Sequence, residues 1–124
     1  MIKPEDYEEG TPQRKLAEFY KAWKEADWEA LSKASQVSWV ESMPKSRELL
    51  KNMFQFRLTN AEIIEEKMLN NVVFAAMVKA EFLIARGVVK NTVNDVRVIC
   101  EKEPMLPSPD GEWGVNPNSA QVVG

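Results

Sequence analysis

The feature that most limits what this chain can fold into is a change of period along it. Up to Phe54 the apolar residues recur at helical spacing, and beyond Phe56 they recur at every second position. The helical part is carried by Leu16, Phe19, Tyr20 and Trp23, which fall on one broad face behind Thr11-Pro12, a helix-start pair. A second short helix is predicted from its cap Asp27 through Trp28, Leu31 and Ala34. Val37-Ser-Trp39 alternates and predicts a brief extended crossing before Pro44. A third helix is expected over residues 46–54, capped by Ser46, with Leu49, Leu50, Met53 and Phe54 on its buried side.

The strand part begins with an irregular strand over residues 56–69 and a turn at Asn70-Asn71. Residues 72–85 follow, with Phe74, Val78 and Phe82 on one parity and Lys79 and Glu81 on the other. Arg86-Gly87 turns the chain into a returning strand that carries Val93, Asp95, Arg97 and Ile99 on one parity. Charges and prolines over residues 101–109 predict a connection, and Asp110-Gly111 leads into a last strand at Glu112–Val115. The closing residues 116–124 are expected to continue that strand or to lie along the body.

Size and composition bound the rest. A length of 124 residues supports a single core, read as an arm over residues 1–10 and one domain over 11–124. A net charge of −3, with Lys and Arg interspersed among acids, argues against a nucleic-acid partner. No run reaches the roughly 18–20 apolar residues that span a bilayer. The acidic start is unlike a secretion signal, and Cys100 stands alone, so a cytoplasmic location without disulfides is expected.

The absence of His removes the commonest proton shuttle near neutral pH and the histidine-bearing triads. With a single Cys it also argues against a zinc site, and Asp110-Gly111-Glu112 lacks calcium-loop spacing. No metal and no cofactor are expected. Aromatic side chains are abundant instead. Trp23, Trp39, Phe54, Phe74, Phe82 and Trp113 can line an apolar ligand pocket with Tyr20 offering a hydroxyl, although a packed core is the plainer reading of the group and Trp39 and Trp113, from less regular segments, are the better rim candidates.

Helices followed by long antiparallel strands resemble the nuclear transport factor 2-like superfamily. Phe19-Tyr20-Lys-Ala-Trp23 and Ala26-Asp27-Trp28-Glu29-Ala30-Leu31 look like its paired N-terminal helices. The resemblance implies an α+β cone, with N-terminal helices packed in the concavity of a strongly curved, mainly antiparallel sheet. It also implies a site at the open end and a homodimer formed through the sheet. Some relatives of ketosteroid isomerase-like or polyketide cyclase-like type use an acid inside the cone. That nominates Asp95 as proton carrier and Tyr20 as oxygen-stabilising donor, unless Arg97 holds Asp95 in a solvated ion pair. The expected function is a noncatalytic domain binding a small apolar ligand or a protein. The alternative is an isomerase or cyclase acting on a hydrophobic carbonyl compound.

Overall fold

The computed structural model describes residues 1–42 and 45–122. It is an α+β protein in which helices cover one face of an antiparallel sheet. The helices are α1 (Pro12–Lys24), α2 (Trp28–Lys33), α3 (Val37–Ser42), α4 (Ser46–Met53) and α5 (Pro117–Ala120). The strands are β1 (Arg57–Met68), β2 (Val73–Ile84), β3 (Val88–Glu103), β4 (Leu106–Pro107) and β5 (Glu112–Val115). They lie in the order β1-β2-β3; β5 pairs with β3 on the side away from β2, while β4 pairs with the end of β3 on the same side as β2, and the sheet does not close.

Local chemistry sets the helix starts. The Thr11 hydroxyl accepts from the Arg14 amide at 3.2 Å, and the Asp27 carboxylate accepts from the Ala30 amide at 3.1 Å. Ser46 does not cap α4. It is the first helical residue, and Lys45 precedes it in the left-handed region at φ 59°. The extended crossing expected at Val37–Trp39 is a helix instead. Three alternating residues fit either period. Here the Gln36 carbonyl accepts from the Trp39 and Val40 amides, while the Glu101 carboxylate accepts from the Ser38 amide at 3.1 Å. The break assigned to Pro44 lies outside the described residues.

Strand pairing follows the parity read from the sequence. Phe74, Ala76, Val78, Ala80 and Phe82 of β2 are buried against the helices, as are Val96 and Val98 of β3. β1 matches β2 with register shifts at Leu58/Asn60 and Ile63/Glu65, and such bulges bend a strand and increase its twist. β3 runs past Glu101 to Glu103, and the proline-containing connection returns as the two-residue β4. The closing segment forms the short helix α5, capped by Asn116, and Val123 and Gly124 are outside the described residues.

Two further contacts fix the layers. The link after α2 runs beside β5, where the Gln36 amide donates to the Val115 carbonyl at 2.8 Å and the Val115 amide to the Ala34 carbonyl at 2.9 Å. Gly114 permits this approach: a Cβ there would stand 2.5 Å from Gln36 Cα. The N-terminal arm is packed down. Ile2 is buried with its amide on the Ala61 carbonyl at 2.9 Å, and Arg14 donates to the Pro4 and Tyr7 carbonyls.

Candidate functional site

The aromatic residues nominated for a pocket fall into separate places. Tyr20, Trp23, Phe54, Phe74 and Phe82 are at most 2% exposed. Trp23 sits at the centre, with ring centroids 4.4 Å from Phe54, 5.1 Å from Phe82 and 5.8 Å from Tyr20. Its indole N–H donates to the Phe56 carbonyl at 3.0 Å, so the polar end of the ring is satisfied inside the core. These are contacts of a filled interior. Trp39 and Trp113 are half-buried against its margin. Trp113 also borders a groove of about 340 Å³ beneath Gly10, Arg14 and Glu18.

Tyr20 and Asp95 do not meet. Tyr20 comes from the sheet-facing side of α1, and burial pushes its hydroxyl well above the usual tyrosine range. Asp95 follows the opposite parity of β3 from buried Val96 and Val98, and its side chain is 50% exposed on the outer face of the sheet. Arg97 donates to it at 2.8 Å. The shared helix-sheet cavity expected for these two residues is therefore corrected by alternation: one step along a strand reverses the face.

The outer face carries its own pattern. Across β1, β2 and β3 the register lines up Lys67, Ala75 and Arg97, then Glu65, Met77 and Asp95, then Glu62, Lys79 and Val93. Together with Glu66 and Leu69, the first two rows line a shallow groove of about 630 Å³. Exposed apolar residues share this outer face: Ile64 at the β1 bulge, Val93 beside Asp95 and Val89 farther along β3, while Val88, also exposed, falls on the opposite parity at the start of the strand.

Glu101 is a buried group that the sequence reading assigned to a connection. It is 2% exposed, and its carboxylate accepts from the Ser38 hydroxyl at 2.7–2.9 Å as well as from the Ser38 amide. The same hydroxyl accepts from the Met105 amide at 3.0 Å, so one serine ties α3 to β3 and to the turn before β4. An acid followed by Lys, Glu and Pro gives no periodic signal of burial, which is why alternation did not find it. Beside it, burial raises the Cys100 thiol, and the carboxylates of Asp110 and Glu112 raise it further. No group of His, Cys, Asp and Glu suited to a metal ion occurs among the described residues, and no described helix is long and apolar enough to cross a membrane.

No protein-family model matches the chain, and no curated protein matches it. A solved structure does: a SEC-C motif containing protein from Psychrobacter arcticus, with a TM-score of 0.66 and 14% sequence identity. The match covers 92% of this chain and 63% of that protein, so this chain spans less than two thirds of its length. At that identity the likeness concerns the fold. The resemblance to the nuclear transport factor 2-like superfamily is corrected by these findings. Aromatic helix pairs ahead of antiparallel strands satisfy the packing rules of many α+β proteins, so the pattern that carried the resemblance is not specific to that superfamily.

Proposed function

We propose that this chain is a noncatalytic protein-binding domain that acts through its sheet and pairs there with a second copy of itself. The observation that carries the reading is the contrast between the two sides of the sheet. Aromatic residues fill the helix side, whereas Ile64, Val89 and Val93 stand more than half exposed on the other side. In the same reading the bulged sheet curves round α1 to give a cone, and the protein works in the cytoplasm, where its unpaired Cys100 stays reduced.

Packing within the aromatic cluster weighs against a small apolar ligand as the partner. The isomerase or cyclase alternative needs one carbonyl to reach both Asp95 and Tyr20, and the sheet lies between them. Sedimentation equilibrium from micromolar to millimolar chain tests self-association. A mass that rises from monomer to dimer is expected, and a monomer throughout would refute the reading.

A further inference from the structure

The two long outer strands of the sheet treat their free edges differently. β1 carries Glu62, Glu65, Glu66 and Lys67, two bulges, and the N-terminal arm anchored at Ala61. These are recognised protections against strand addition. β3 has no comparable protection over its first half. Val88-Val-Lys-Asn-Thr-Val-Asn94 has no acid, no proline and one charge, and Val88, Val89 and Val93 are each more than half exposed.

Backbone direction along β3 follows from two fixed points. The Cys100 amide donates to the Val72 carbonyl, so even-numbered residues address β2. The Arg97 amide donates to the Ser119 hydroxyl, and the Arg97 carbonyl accepts from the Asn116 amide, so odd-numbered residues address the outer edge. The β2–β3 register continues without a shift to Val88, which carries this alternation down the strand. The amides and carbonyls of Val89, Asn91 and Val93 therefore point outward. Among the described residues none of them has a backbone partner on that side, whereas α5 and the segment after it lie against the strand farther along, where the Asn94 side chain donates to the Ser119 and Gln121 carbonyls and the Arg97 backbone bonds Ser119 and Asn116.

We propose that a second copy of this chain adds its β3 to this edge, antiparallel, about a twofold axis at Asn91. The proposal rests on the preceding reading that the chain self-associates through its sheet, and it names where. Antiparallel addition requires outward residues to face outward residues. Centring on Asn91 pairs Val89 with the partner's Val93 and Asn91 with the partner's Asn91, and it ends the ladder where the segment after α5 begins. Centring one residue earlier would set Lys90 against the partner's Lys90, with like charges directly opposed. The chosen register sets Lys90 opposite the partner's Thr92. The Thr92 hydroxyl is buried without a hydrogen-bond partner in the single chain, so a donor brought to that position satisfies it. The ladder is short, which makes a weak, reversible dimer with a continuous outer face.

Two variants test this beside the sedimentation measurement. In an antiparallel hydrogen-bonded pair the Cα atoms stand about 5.5 Å apart, within disulfide reach. Asn91→Cys is therefore expected to give a covalent dimer on mild oxidation, while buried Cys100 stays unmodified and Lys79→Cys on the outer face does not cross-link. Asn91→Pro removes an outward amide that β2 does not use, so the fold is retained by circular dichroism. It deletes both hydrogen bonds at the axis, weakening association about 100-fold. A dimer that cross-links through Lys79→Cys and not Asn91→Cys, or that forms undiminished with Asn91→Pro, overturns the edge and leaves self-association standing. A monomer at every concentration overturns both.

Discussion

Whether the interior is packed or hollow can be decided at Trp23. Its side chain is 2% exposed, touches the rings of Phe54, Phe82 and Tyr20, and donates to the Phe56 carbonyl. Removing a fully packed Trp costs about 3–5 kcal/mol through lost burial and the cavity left behind. The orphaned Phe56 carbonyl adds about 1 kcal/mol when buried. Trp23→Ala is thus expected to destabilise by about 4–6 kcal/mol. Trp23→Phe keeps a ring but loses the N–H and is expected to cost about 2 kcal/mol. Urea unfolding followed by far-UV circular dichroism reads both. With a slope of roughly 1.5 kcal/mol per molar, the alanine variant moves the midpoint down by roughly 3 M. Because a domain of this kind has only about 5–15 kcal/mol in hand, that variant stands near the limit of folding. A cost below about 1.5 kcal/mol at unchanged slope would refute the reasoning, because a side chain bordering an empty pocket has few contacts to lose.

Three further outcomes follow from the same contacts. Ser38→Ala removes the hydroxyl that binds both Glu101 and the Met105 amide, and it leaves a buried carboxylate underbonded. A loss of about 3 kcal/mol is expected in the same unfolding assay, against about 1 kcal/mol for an exposed serine. Gly114→Ala sets a methyl group against the Gln36 backbone and is expected to lower the melting temperature by at least about 8 °C, whereas Gly10→Ala meets no atom within 4 Å and is opposed only by its positive φ. Because Tyr20 ionises above its unfolded value of about 10, its contribution is complete below that pH and is lost as pH rises beyond it. Stability should fall in alkali above about pH 10, and Tyr20→Phe should flatten that fall; an unchanged alkaline slope in the variant would contradict the burial argument.

Much of the fold was legible in order and type. The caps at Thr11 and Asp27 and the parity of Phe74 to Phe82 are local rules, and each reappears in the structure. The features that were misread depend on groups distant in sequence. α3 became a helix because a carboxylate sixty-three positions away reaches its first turn, and Glu101 became buried for the same reason. The candidate site was less legible. Aromatic side chains signal burial whether they pack on each other or surround a ligand, and Asp95 gave no sign of its solvent-side ion pair beyond sharing a parity with Arg97.

By itself the sequence determined an α+β chain with helices first, the parity of its long strands, and the absence of histidine chemistry, because caps, periods and residue types act over a few positions. Only the tertiary structure decided that the aromatic cluster is filled, that Asp95 and Tyr20 lie on opposite faces of the sheet, and that the first half of β3 presents an unprotected edge. Those properties arise from packing and pairing between segments far apart in the chain, where local preference is silent.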